Sequence, residues 1–104
     1  MNKQDNEKAK LALGLMYLSA NTSATNVSKA VTWLTEAANA GDAEAQYRLG
    51  YLNEGNLGRR IDLSAAKLWY TKAADQNYMK AQHALAEMYL KESSQLQYRK
   101  KVPK

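Results

Sequence analysis

The sequence predicts an all-α protein: a short right-handed α-solenoid of antiparallel helix pairs, holding about two and a half 36-residue repeats. Three observations predict it. The sequence repeats on itself without gaps, apolar residues within each copy follow a helical period, and capping residues stand at the boundaries between the segments.

The repeat is direct. Ala9, Ala45 and Ala81 are spaced 36 apart, as are Leu13, Leu49 and Leu85, and Gly14, Gly50 and Ala86. Trp33 falls on Trp69, Ala30 on Ala66, and Ala37-Ala38 on Ala73-Ala74. The whole chain, 1–104, reads as one domain: repeat 1 at about 9–44, repeat 2 at about 45–80, a partial repeat 3 at about 81–98, and a basic tail at 99–104.

Each copy holds two helical segments. In the first, Ala9, Ala12, Leu13, Met16 and Tyr17 share one face at about 100° per residue. In the second, Ala30, Trp33, Leu34, Ala37 and Ala38 do the same, and Ala66, Trp69, Tyr70, Ala73 and Ala74 copy them. Asn26 and Asp62 stand where an N-cap is wanted, because a short side-chain oxygen accepts the orphan backbone N–H groups. Gly41 and Asn77 take the left-handed position after each second helix, and Asp42 caps the helix that follows. Asn53 to Gly58 is a turn-rich loop. Helices are expected at roughly 6–19, 27–40, 43–54, 63–76 and 79–92. Trp33 and Trp69 are expected to fill the core.

Composition bounds the function. The chain has 104 residues, 45% hydrophobic and 24% charged, the values of a single globular domain. It has no cysteine, which excludes disulfides, thiolate metal sites and cysteine nucleophiles. Its one histidine excludes the common zinc ligand sets. No phosphate-binding loop, nucleophile elbow or dinucleotide fingerprint is present. No cofactor and no metal are therefore expected, nor a small-molecule substrate.

The formal charge is +5, and Arg99, Lys100, Lys101 and Lys104 close the sequence. Such a cluster is either a solvated tail or an electrostatic site for nucleic acid or acidic lipid. No aromatic-and-basic face of the kind single-strand binders use accompanies it. The apolar run Leu11 to Ala20 has two readings, a signal-peptide core or a repeat helix. Its register with the later copies, and the acidic Asp5 and Glu7 before it, favour the helix. As it stands the sequence reads as cytoplasmic; removal of a signal peptide would make it periplasmic or secreted. No segment is long enough to cross a membrane.

Two copies carry most of a known pattern. The second has Ala45, Leu49, Gly50, Gly58, Asp62, Ala66, Trp69, Tyr70, Lys72, Ala73 and Ala74, and departs at Asn53, Asn56, Arg59, Ala65 and Asn77. The first has Ala9, Leu13, Gly14, Tyr17, Lys29, Ala30, Trp33, Ala37, Ala38 and Gly41, but Ala20 and Thr22 replace its loop glycines. The third keeps Ala81, Leu85 and Tyr89 and then diverges. Together they resemble the Sel1-like repeat family, a relative of the tetratricopeptide repeats. The resemblance implies an adaptor, a scaffold or an inhibitory partner of another protein, in a family often found in bacteria. It does not imply the β-lactamase-like role of cysteine-rich relatives, whose cysteines are missing.

The far side of each first helix is the candidate contact. Counting from the repeated alanine, positions 2, 6 and 9 are Leu11, Leu15 and Leu18; then Tyr47, Tyr51 and Glu54; then His83, Glu87 and Leu90. In tetratricopeptide-like stacks first helices line a concave surface, so this strip would bind a protein partner. The alternative is that neighbouring helices bury it. The open end around His83 to Leu90 would be covered by the tail, a partner or a second copy. No enzymatic activity is expected; the alternative, a small hydrolase, rests on His83 and Glu87 alone, which lie four residues apart on one face and form either an acid–base couple or a surface hydrogen bond.

Overall fold

The computed structural model describes residues 2–101. Five α-helices follow one another: α1 (Lys3–Ala20), α2 (Ala24–Asn39), α3 (Ala43–Asn53), α4 (Leu63–Ala74) and α5 (Met79–Lys101). A 3-10 turn at Asn56–Gly58 lies between α3 and α4. Each helix packs mainly on its neighbours in sequence, α1 on α2, α2 on α3, α3 on α4 and α4 on α5. The product is an α-solenoid measuring 60 × 30 × 16 Å.

Side-chain caps start the helices. The Asp42 and Asp62 carboxylates accept from the backbone N–H groups of Ala45 and Ala65, at 2.8 and 3.0 Å. At α2 the cap is Ser23 rather than Asn26: its hydroxyl accepts from Asn26 N at 3.2 Å, and α2 starts three residues early. Asn26 is thereby freed to turn its amide back, and Nδ2 donates to the carbonyl of Tyr17 at 3.2 Å. Gly41 and Asn77 do take the left-handed conformation, with φ of 105° and 64°. The carbonyls of Ala37 and Ala73, left without helical partners, accept from Asp42 N at 3.0 Å and Tyr78 N at 3.2 Å.

The last helix corrects the expected boundary at 92. α5 runs on to Lys101. From Glu92 to Lys101 the sequence contains neither glycine nor proline, and Pro103 is the first residue that cannot continue a helix. An ion pair from Lys67 on α4 to Glu92, at 2.7 Å, holds α5 where the earlier copies turn away. Arg99, Lys100 and Lys101 thus belong to α5, while Lys104 lies outside the described residues.

Two apolar clusters form the core. The first contains Leu11, Val27, Ala30, Leu34, Ala37, Ala38, Ala45, Leu49 and Leu52. The second contains Ala66, Tyr70, Ala73, Ala81 and Met88. Small alanines let the helices approach, and glycines let them approach further. A Cβ at Gly14 would lie 2.8 Å from Leu34 Cγ, and one at Gly50 would lie 2.6 Å from Tyr70 Cδ1. The two largest fully buried side chains, one on each second helix, are Leu34 and Tyr70. Trp33 and Trp69, expected in the core, are only half-buried, because they sit one residue, or about 100°, round the helix. Trp69 leans on the first cluster and so joins the two repeats.

The first helix shows what the stack supplies. Ala45, Leu49 and Leu52 on α3 are buried because α2 covers them. Their counterparts on α1 are exposed Ala9, half-buried Leu13 and exposed Met16, and no helix precedes α1 among the described residues.

Gly50→Ala is expected to lower the unfolding free energy by ~1–3 kcal/mol, as overpacking does. An exposed Gly→Ala change in a helix would instead raise it by about 0.5–1 kcal/mol. Urea denaturation against the wild type measures the sign. The same assay ranks the tryptophans: Trp69→Ala should approach the lower end of the ~3–5 kcal/mol typical of buried aromatics, and Trp33→Ala should fall below it.

Candidate functional site

The strip at positions 2, 6 and 9 divides into an interior part and a surface part. Leu11 is 8% exposed and belongs to the first core cluster, against which Leu15 and Leu18 also pack. The expectation that these three line an open surface is corrected. The reason is the close approach at Gly14: position 5 faces the second helix, so positions 2 and 9, on either side of it, are drawn into the same contact.

On α3 the same geometry is met with larger and more polar residues. Tyr47 is half-buried between two rings, its centroid 5.8 Å from Tyr70 and 5.6 Å from Tyr78, tilted at 37° and 39°. Tilted pairs at this spacing are favourable for aromatic quadrupoles. Glu54 accepts a hydrogen bond from the Tyr70 hydroxyl. Burial, and then that hydrogen bond to a carboxylate, push the Tyr70 phenol well above the usual tyrosine range. Tyr51, at 42% exposed, faces solvent.

α5 supplies the opposite wall. Tyr47, Tyr51 and Glu54 share a depression of about 200 Å³ with Lys80, His83 and Glu87, and Tyr70 and Ala84 also line it. Five of the nine residues of the strip are thus brought together, and Leu11, Leu15, Leu18 and Leu90 are not. His83 Nε2 lies 2.5 Å from Glu87 Oε1, with 77% and 53% of the two side chains exposed. When the histidine is protonated this is an exposed i,i+4 ion pair, a modest interaction. Among the described residues no group of three or more His, Cys, Asp or Glu side chains could hold a metal ion. No helix among them is long and apolar enough to cross a membrane.

Residues not anticipated from the sequence matter here. Lys80 gives the depression its one lysine. Tyr78 fixes the Tyr47 ring. Gln46, 5% exposed, donates to the carbonyl of Ala38 at 3.2 Å, and Gln82 repeats the bond to Ala74 at 3.3 Å. The spacing of this glutamine pair, 36 like the rest, is the signal that would have found it.

The Tyr70 environment fixes a pH dependence. A phenol whose folded pKa is raised keeps its full stabilisation below the unfolded value of ~10 and loses it as pH rises above that value. Unfolding free energy should therefore decline above about pH 10, and Tyr70→Phe should remove that part of the decline. Denaturation profiles of both proteins between pH 8 and 11 decide it.

Comparison with known proteins agrees with this architecture. The Sel1 repeat model matches the chain three times, at residues 7–42, 43–78 and 80–97. Chitin synthase regulatory factor 3 of Schizosaccharomyces pombe is 36% identical over 104 residues, covering 98% of this chain and 11% of that protein. A sel1-like repeat-containing protein of Acanthamoeba polyphaga mimivirus is 35% identical over 81 residues, which is 76% of this chain and 14% of that protein. A chitin synthase regulator of Malassezia restricta is 36% identical over 58 residues, 56% of this chain and 4% of that protein. The chain therefore spans only 4–14% of the length of these relatives. They are fungal and viral, so they do not carry the bacterial association that the family resemblance implied. With three matches across an α-solenoid of stacked helix pairs, the chain belongs to the Sel1 repeat family.

Proposed function

We propose that this chain is a protein-docking module whose contact is the depression between α3 and α5. The observation that carries this reading is the solvent-facing Tyr51 beside a rigid base. The Tyr47 ring is held from two sides, and the Tyr70 hydroxyl is tied to Glu54. A partner therefore meets a surface that is already ordered and loses little conformational entropy there. Tyrosine suits such a site because it buries a large flat area while its hydroxyl keeps a hydrogen bond. Lys80, His83, Glu54 and Glu87 give the rim charges of both signs, which selects a polypeptide with a matching pattern.

The relatives support the same class of function. Two of them are named as regulators of chitin synthase, a naming compatible with a docking role. Within such a chain this segment serves as a docking element, as an adaptor, a scaffold or an inhibitory contact.

Binding partners are expected to depend on Tyr51 and Glu87, whose loss leaves the core intact. Affinity capture from extract followed by mass spectrometry should recover a protein with the wild type. Tyr51→Ala/Glu87→Ala should lose it by at least about tenfold, the equivalent of ~1.4 kcal/mol at a binding hot spot. Equal recovery by both would place the contact elsewhere on the solenoid.

A further inference from the structure

We propose that the recess between the start of α2 and the turn after α3 is a docking site for an acidic segment of another protein. The segment sets an apolar side chain on the base of the recess and its carboxylates against Arg59 and Arg60. This contact is additional to the α3–α5 depression, shares no lining residue with it and does not rest on it.

Two connections of the repeat build the recess. Residues 21–23 join α1 to α2, and residues 54–62 join α3 to α4. The space between them measures about 400 Å³. Val27, only 1% exposed, forms its base, with Ala24 and Leu57 beside it. Thr22, Ser28 and Arg59, all exposed, stand around the opening. Leu57 is the unusual member. It is left-handed, with φ of 56° and ψ of 36°, in a turn where Gly55 and Gly58 also have positive φ. A side chain resists that conformation because its Cβ crowds the following carbonyl, so the surroundings must hold it. Asn56 does so: Nδ2 donates to the carbonyl of Tyr51 at 2.7 Å, and its own carbonyl accepts from Arg59 N at 3.2 Å. The turn thereby keeps an aliphatic side chain, 39% exposed, as a wall of the recess before any partner arrives.

The charge of the recess itself selects the occupant. Arg59 lines it and no acid does. The stretches that frame it, residues 20–32 and 55–61, hold Lys29, Arg59 and Arg60 and neither Asp nor Glu. Lys29 lies over the Tyr17 ring at 5.5 Å, whereas neither arginine is paired with an acid among the described residues. Asp62, the nearest acid in the sequence, is engaged as the α4 cap. In the first copy the equivalent positions are Ser23 and Ala24, so the charge belongs to this connection and not to the repeat. Guanidinium groups match carboxylates two bonds at a time. Single-stranded nucleic acid would need rings to stack on, and none lines the recess. A bilayer would need apolar side chains that protrude, whereas Val27 lies at the base. A peptide with an aliphatic residue among acids satisfies both the base and the arginines.

The test titrates the full chain with three probes while its amide resonances are followed by NMR. They are the blocked peptide Asp-Glu-Leu-Glu-Asp, its neutral twin Asn-Gln-Leu-Gln-Asn, and vesicles containing phosphatidylserine. The acidic peptide is expected to shift, saturably, the amides from Thr22 to Ser28 and from Leu57 to Arg60. It should bind at least about tenfold more tightly than the twin, and the difference should shrink as salt rises. Arg59→Gln/Arg60→Gln should lower the affinity at least about tenfold and leave the urea midpoint unchanged, since both side chains are exposed. Leu57→Asn, to a residue that accepts the left-handed conformation, should weaken binding without lowering that midpoint. Equal binding of the two peptides, or equal binding by wild type and the arginine variant, overturns the proposal. So do shifts confined to other parts of the chain, and so does the absence of any saturable shift. If the vesicles alone perturb these amides, the recess faces a lipid surface and the peptide site is overturned.

Discussion

The approach of each first helix to its own second helix is the contact on which the rest depends. At Gly14 and Gly50 the helix backbone comes so near to Leu34 and Tyr70 that no Cβ fits between them. That single contact decides which residues are interior. It draws Leu11 and Tyr47, and Leu18 and Glu54, towards the seam between the pair. It also turns Trp33 and Trp69 away from the seam, leaving Trp69 to join one repeat to the next. Burial of this kind is worth ~25 cal/mol per Å² of apolar surface, and in a thin solenoid little other apolar surface is available to bury.

Within this constraint the two complete repeats solve the seam differently. The first places Leu18 and Leu34 in an apolar cluster. The second places Glu54 and Tyr70 at the same positions and joins them by a hydrogen bond. Lengthening one side chain while making the other polar keeps the seam filled and leaves the buried hydroxyl partnered, as buried polar groups require. The cost is a carboxylate near the surface. The gain is a fixed tyrosine platform of Tyr47, Tyr70 and Tyr78, which the leucines of the first repeat cannot offer. The surface proposed for docking is thus a variation on the seam rather than an addition to it.

This explains how much was legible in the sequence. The period, the aspartate caps at Asp42 and Asp62 and the left-handed Asn77 were readable because each depends on a few neighbouring residues. The start of α2 was not. Ser23 and Asn26 are both good caps, and the choice between them turns on a contact from Asn26 to Tyr17, nine residues away. The end of α5 was missed for a related reason: the repeat pattern argued for a turn after Glu92, while local propensity, with Lys67 paired to Glu92, carried the helix on. Positions 2, 6 and 9 lie on one side of each first helix, but on α1 that side meets the core and on α5 it is exposed. Helical periodicity tells which residues share a face, and it cannot tell which neighbour that face meets.

The same argument accounts for the contrast between the two ends of the strip. Leu11, Leu15 and Leu18 are apolar because a second helix always covers them, so selection for burial is satisfied within the chain. His83, Glu87 and Leu90 mix polar and apolar character because no helix of the described residues covers them, and a wholly apolar face of that length would invite non-specific association. Between these extremes α3 carries Tyr47, Tyr51 and Glu54, residues that tolerate both an interior and a wet environment. α1 and α3 each pack on a following second helix, so the change from aliphatic to aromatic along the strip is a different filling of the same contact, and only α5 has no second helix among the described residues. Solvent access separates the residues within the strip of α3, where Tyr47 is half-buried against Tyr70 and Tyr78 and Tyr51 is the large ring presented outward.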